Sequence, residues 1–174
     1  DGYQANRLVN ANYVRFITCD LDMDGLSEVM VLRPGILETD NGVAEVYGME
    51  NGLVERSSEA VMSESVYKLK RLITGRLHDG VPAVFVGSSV DSGGIITDIY
   101  ALVDGVFTNV SLSNESGTSV QTLRNYYVYA DDIDNDGVLE LPSLVSPAVP
   151  EGMKSDETQY VIRWYALNSD GSTV

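Results

Sequence analysis

Three glycines set the frame of this chain. Gly25, Gly80 and Gly137 each lie between two strand-like runs. The segments are Thr18-Cys-Asp-Leu-Asp-Met-Asp-Gly-Leu-Ser-Glu-Val-Met-Val, Ile73-Thr-Gly-Arg-Leu-His-Asp-Gly-Val-Pro-Ala-Val-Phe-Val and Ala130-Asp-Asp-Ile-Asp-Asn-Asp-Gly-Val-Leu-Glu-Leu-Pro-Ser. The separations are 80 − 25 = 55 and 137 − 80 = 57 residues. A repeat of that length implies small units that bury their apolar faces only by stacking on one another. A second signature follows each glycine. Val46-Tyr-Gly-Met-Glu-Asn-Gly, Ile99-Tyr-Ala-Leu-Val-Asp-Gly and Trp164-Tyr-Ala-Leu-Asn-Ser-Asp-Gly carry Tyr47, Tyr100 and Tyr165 at a matching place. Each closes on Asn-Gly or Asp-Gly, the pairs that tolerate the positive φ of a tight hairpin.

Each unit reads as four short strands. The first unit has Asn12–Cys19, Ser27–Leu32, Val43–Met49 and Leu53–Arg56. The second has Tyr67–Thr74, Pro82–Gly87, Ile95–Val103 and Val106–Leu112. The third has Leu123–Ala130, Leu139–Val145, Gln159–Leu167 and a strand beginning at Ser172. Inner runs such as Val29-Met-Val-Leu, Ala83-Val-Phe-Val and Tyr126-Tyr-Val-Tyr are apolar at every position, as strands covered on both faces are. Ser57–Ser65 reads as a linker or a short helix. The expected fold is all-β: three tandem four-stranded antiparallel units at about 10–60, 66–113 and 120–174. Residues 1–9 resemble the outer strand of a preceding unit. Buried inner and wetter outer strands in repeated four-stranded sheets suit a β-propeller-like stack, partial or open. A β-sandwich is the competing arrangement of the same strands. Asp1 is not a natural initiator, so the chain reads as the mature or excised part of a longer one.

The repeats hold the chemistry. Asp20, Asp22 and Asp24 stand at positions 1, 3 and 5 of the first loop, with Gly25 at 6, Leu26 at 7 and Glu28 at 9. Asp132, Asp134, Asp136, Gly137, Val138 and Glu140 fill the same places in the third. Alternate side chains of a tight turn converge on one point, and calcium takes six to eight hard oxygens there. Leu26 and Val138 can offer only their backbone carbonyls. An EF-hand needs Glu at position 12, where Val31 and Ser143 stand, and it needs flanking helices. These are therefore nine-position loops between strands, and the expected cofactor is calcium at two sites. The middle copy, aligned on its glycine, has Gly75, Leu77 and Ala83 at positions 1, 3 and 9 and keeps only Asp79. The turn should survive there without the metal.

Charge and composition narrow the partners. The chain has 11 basic and 26 acidic residues, a formal −15, so nucleic acid and anionic membranes are disfavoured. No apolar run reaches the roughly 20 residues that span a bilayer. The single cysteine, Cys19, ends an apolar run and reads as a small core residue, with no internal disulfide possible. His78 is the only histidine and lies in the ligand-poor loop; a Ser-His-Asp or Cys-His site would have to use it, and no motif supports one. No catalytic residues are assigned.

The segments Asp20-Leu-Asp-Met-Asp-Gly-Leu-Ser-Glu-Val-Met-Val and Asp132-Ile-Asp-Asn-Asp-Gly-Val-Leu-Glu-Leu resemble the calcium loops of FG-GAP/VCBS-type, integrin-like β-propeller repeats. That resemblance implies side-chain ligands at Asp20, Asp22, Asp24 and Glu28, and at Asp132, Asp134, Asp136 and Glu140. Glu replaces the family's usual Asp at the last place, and its Phe-Gly and Gly-Ala-Pro signatures are missing. The acidic, lysine-poor style is similar to that of bacterial surface lipoproteins. The resulting expectation is a non-catalytic, calcium-stabilised extracellular or cell-surface module that binds a protein or a glycan. The alternative is a secreted hydrolase built on the same scaffold.

Overall fold

Hairpins between sequence neighbours build the fold. The computed structural model describes residues 14–35, 40–50, 52–91, 94–112, 120–122, 129–145 and 161–174. Strands β1 (Arg15–Cys19), β2 (Glu28–Arg33), β3 (Val43–Glu50) and β4 (Leu53–Val61) form an antiparallel sheet in that order. Strands β5 (Leu69–Arg76), β6 (Pro82–Ser89), β7 (Ile95–Val103) and β8 (Val106–Asn109) repeat the meander. A short β9 (Val120–Thr122) joins this second sheet by pairing with β7. Strands β10 (Leu141–Val145) and β11 (Val161–Tyr165) form a two-stranded third sheet.

The sheets share one register. Val29 lies opposite Tyr47, Val84 opposite Tyr100 and Leu141 opposite Tyr165. Each of the three aliphatic residues stands four places after a repeat glycine (25 + 4, 80 + 4, 137 + 4). Side chains alternate between faces along a strand, so this register decides which residues meet. Val84, Val86 and Tyr100 turn to one side and pack with Leu21, Met30, Leu32, Ala44 and Val46 of the first unit. Ala83, Phe85, Ile99 and Ala101 turn to the other and pack with Ala130, Leu139, Leu141 and Leu167 of the third. The second sheet is thus buried on both faces between the other two.

A polar knot sits at the first of these two joints. Asp98 is fully buried on β7. Its carboxylate accepts hydrogen bonds from the Ser63 amide at 2.9 Å, the Ser63 hydroxyl and the Asn109 amide group at 2.9 Å. Asn109 Oδ1 in turn accepts from the amides of Ile99 and Ser111, both at 3.2 Å. A buried carboxylate is tolerable only when it is supplied with donors in this way. The knot fixes the β4–β5 connection onto the second sheet.

Three expectations change. Residues 57–61 are neither linker nor helix: β4 runs on to Val61, and a single 3-10 turn, Val66–Lys68, precedes β5. Ser57 is the extra residue of a bulge between Val46 and Tyr47, and its hydroxyl donates to the Val46 carbonyl at 3.1 Å. Glu59 continues the strand because Arg56 neutralises it at 2.9 Å. Likewise β8 stops at Asn109, and Val110–Leu112 is a 3-10 turn. Of the inner runs, Ala83-Val-Phe-Val is covered on both faces, whereas β2 alternates buried and half-buried positions because its outer face has no sheet against it among the described residues. Most of the expected strand Leu123–Ala130 lies outside the described residues, the expected strand Gln159–Leu167 contains β11 at Val161–Tyr165, and β9 was not anticipated.

Gly75 of β5 leaves the space that the Leu139 side chain fills. A Cβ there would stand 2.3 Å from Leu139 Cγ. Gly75→Ala should therefore cost about 1–3 kcal/mol by overpacking. Urea denaturation of Gly75→Ala, Leu139→Ala and the double variant checks this. The double variant should lose less than the sum of the two.

Candidate metal centre

The two acidic loops fold alike. In the first, Met23 and Gly25 adopt left-handed backbone (φ 61° and 91°); in the third, Asn135 and Gly137 do (φ 63° and 89°). Two such residues curl the chain so that its amides point inward. The Gly25 amide donates to Asp20 Oδ2 at 3.1 Å, and the Gly137 amide donates to Asp132 Oδ2 at 3.0 Å. The Leu26 amide donates to Asp24 Oδ1 at 2.7 Å, and the Val138 amide to Asp136 Oδ1 at 2.8 Å. The Leu21 amide reaches Glu28 Oε2 at 2.7 Å, and the Ile133 amide reaches Glu140 Oε2 at 3.1 Å. Backbone amides thus hold Asp20, Asp22, Asp24 and Glu28 in the first loop and Asp132, Asp136 and Glu140 in the third.

The carboxylates converge on a point. Asp20, Asp22 and Glu28 each present an oxygen within 4.8 Å of the others, and so do Asp132, Asp134 and Asp136. Both clusters could hold a metal ion. Asp24 and Glu140 lie in the loops but outside these two sets, each engaged with a loop amide instead. The loops differ in depth. Glu28 is 8% exposed on the face toward the second sheet, whereas its counterpart Glu140 is half-buried; Asp22, Asp24, Asp134 and Asp136 are exposed alike. Asp20 Oδ1 is out of contact with solvent and receives no hydrogen bond. Such an oxygen calls for a positive partner. The donors are carboxylate oxygens, which suit a hard divalent cation and not a soft one.

Beside the first loop lies Cys19, half-buried against the first core. Burial first, then the charges of Glu28 and Asp20, push its thiol up. It stays protonated and behaves as the core residue expected of it.

The middle loop keeps its turn and changes its use. Gly80 is left-handed (φ 86°), and its amide donates to the Leu77 carbonyl at 2.8 Å. Strand pairing corrects the glycine-based alignment, however. Cys19 pairs with Glu28 and encloses residues 20–27; Gly75 pairs with Ala83 and encloses 76–82, one residue fewer. Arg76, the last residue of β5, and not Gly75 therefore takes the place of Asp20, and Leu77 takes the buried place of Leu21. The shortened loop meets protein. The His78 amide donates to the Leu167 carbonyl at 2.9 Å, and the Ser169 amide donates to Asp79 Oδ2 at 2.8 Å. His78 itself is exposed.

Sequence reasoning located both clusters and missed three features. The left-handed residue at position 4 was foreshadowed by Asn135, since Asn tolerates that conformation, but not by Met23. The amides of Leu21 and Ile133 as anchors for Glu28 and Glu140 left no mark in side-chain identity. The Ser169–Asp79 contact spans 90 residues and has no local signal. Compared with family models, curated proteins and solved structures, the chain matches none.

Asp79 gives a pH signature. Burial raises its carboxyl, but the Ser169 hydroxyl and amide, with the Val81 amide, outweigh that and hold it below its ordinary value of 3.8. A depressed carboxyl contributes stability that is full above the unfolded value and is lost as pH falls through the folded one. Asp79→Asn should remove that share. The gap in urea midpoint between wild type and variant should be constant near neutrality and shrink below about pH 4. Asp79 is solvent-exposed, so the gap should be modest, below about 1 kcal/mol.

Proposed function

We propose that this chain is a non-catalytic calcium-binding module of an extracellular or cell-surface protein, in which the ion clamps strand-joining loops. The observation that carries the reading is Asp20 Oδ1, a carboxylate oxygen shut off from water and left without a donor beside Asp22 and Glu28. The first site would use Asp20, Asp22, Asp24 and Glu28 with the Leu26 carbonyl. The second would use Asp132, Asp134, Asp136 and Glu140 with the Val138 carbonyl. Calcium draws Asp24 and Glu140 in by swinging side chains already held at the loop. The matched left-handed positions of both loops support a common ligand.

The shared register of the three sheets and their face-to-face stacking support a propeller-like repeat of the FG-GAP/VCBS kind, partial or open. The net charge of −15 supports a partner that is neither nucleic acid nor anionic lipid, such as a protein or a glycan. An acidic surface that needs calcium at extracellular levels fits an outside location.

Calcium titration tests this. Two sites with Kd on the order of 10⁻⁴–10⁻³ M are expected, as for extracellular modules. At ten times Kd each site adds about 1.4 kcal/mol, read as a rise in melting temperature. Asp20→Ala and Asp132→Ala should each leave one site by calorimetry. A melting temperature indifferent to calcium and chelator, with both variants silent, would sink the proposal.

A further inference from the structure

An Asp-Gly step is a place where a chain can rearrange its own backbone. The glycine has no side chain to shield its amide nitrogen, which can reach the carboxyl of the aspartate before it. Five such steps lie among the described residues: Asp24-Gly25, Asp79-Gly80, Asp104-Gly105, Asp136-Gly137 and Asp170-Gly171. All five aspartates are exposed, and all five glycines are left-handed. Sequence and exposure therefore do not separate them.

Hydrogen bonding does. The Gly25 and Gly137 amides donate to Asp20 Oδ2 at 3.1 Å and Asp132 Oδ2 at 3.0 Å. The Gly80 and Gly171 amides donate to the carbonyls of Leu77 at 2.8 Å and Asn168 at 2.9 Å. The carboxylates of the same four steps are engaged too. Asp24 accepts from the Leu26 amide, Asp136 from Val138, Asp79 from Ser169 and Asp170 from Ser172. Asp104-Gly105 is the exception. Among the described residues, neither the Gly105 amide nor the Asp104 carboxylate has a hydrogen-bond partner.

The hairpin is the reason. These two residues alone join β7 to β8, and Val103 pairs with Val106 across them. Both are left-handed, with φ 51° and 75°. In a two-residue turn of this kind the strand ladder closes outside the turn and leaves the central amides to water. The space is open as well, since a Cβ on Gly105 would meet no atom within 4 Å. Nucleophile and electrophile are adjacent, in water, and held by nothing.

We infer that Asp104 is the residue at which this folded chain isomerises to isoaspartate. The Gly105 nitrogen attacks Cγ of the protonated Asp104 carboxyl. The N–Cγ bond forms, the Cγ–OH bond breaks, and the hydroxyl leaves as water with the amide proton. Water then adds to the main-chain carbonyl of Asp104 in the cyclic imide and breaks its bond to the Gly105 nitrogen. The chain now runs through Cβ and Cγ, the α-carboxylate is free, and the composition is unchanged. A methylene has entered the main chain of a two-residue turn. The Val103–Val106 pairing and the stacking of Phe107 on Tyr100 lose their fixed spacing.

Timed incubation of the intact chain at about pH 5, where carboxyls are partly protonated, tests this. Peptide mapping with electron-transfer fragmentation counts isoaspartate at each step, and deamidation at Asn41 or Asn51 is set apart by its mass gain. In the folded chain Asp104 should convert at least about fivefold faster than the other four, since each of those must first break an amide hydrogen bond. In urea every amide is free, and the five rates should become alike. Asp104→Gly keeps a turn that accepts positive φ but has no carboxyl, so the folded variant should have no leading site. Equal rates at the five steps of the folded wild type overturn the inference, and so does another step in the lead. A lead for Asp104 that persists undiminished in urea overturns it as well, because the fold would then not be its cause.

Discussion

Burial of the second sheet on both sides is the interaction on which the rest depends. Phe85, Ile99 and Ala101 fill one interface, while Val84, Val86 and Tyr100 fill the other. Each large aliphatic or aromatic side chain taken out of water contributes about 1.5–3 kcal/mol. Isolated four-stranded units of this size have too little core to stand alone, and the repeat solves this by sharing faces. Tyr100 shows the economy of the arrangement. Its ring stacks on Phe107 at 5.4 Å between centroids and fills the joint to the first sheet, and burial raises its hydroxyl far above the usual range. Tyr165 repeats the role one unit on, packing toward the second sheet. Tyr47 has the same place and direction but no preceding sheet among the described residues.

Stacking also sets where the chemistry sits. Four strands per meander return the chain to the end from which it set out. The β1–β2 loop, the β5–β6 loop and the β3–β4 and β7–β8 hairpins therefore share an end of their sheets. The Ser169–Asp79 and His78–Leu167 hydrogen bonds bring the corresponding end of the third unit beside the second. The two acidic clusters therefore lie at this end, on either side of a middle loop that keeps only Asp79.

The sequence exposed the repeat because its signals are local. Glycine at a left-handed turn and Asn-Gly or Asp-Gly at a hairpin are backbone requirements that only a few residues meet. The acidic spacing was legible for the same reason, as alternate side chains of a tight turn must converge. What escaped was decided across distance. Ser57 became a bulge because Val46 offered a carbonyl, and β4 outran its expected end because Arg56 and Arg33 neutralised the acids facing them. Gly75 read as a lost ligand position, whereas the pairing of β5 with β6 shows it at the place of Cys19, free of a side chain because Leu139 fills the space. Residue identity carried half of that fact; the neighbour that explains it lies 64 residues on (139 − 75).

The contrast between the loops follows from what each one meets. Asp79 is the last acid of the middle loop, and it is satisfied by the donors of Ser169 and Val81. A carboxylate supplied with protein donors has no need of an ion, and without neighbouring carboxylates it gathers none. The first loop is the reverse case. Its amides reach one oxygen of Asp20 and one of Glu28, and they leave Asp20 Oδ1 dry and unpaired beside two further carboxylates. The middle and first loops therefore differ in what meets their carboxylates: protein donors satisfy Asp79, whereas an oxygen of Asp20 is left for a cation.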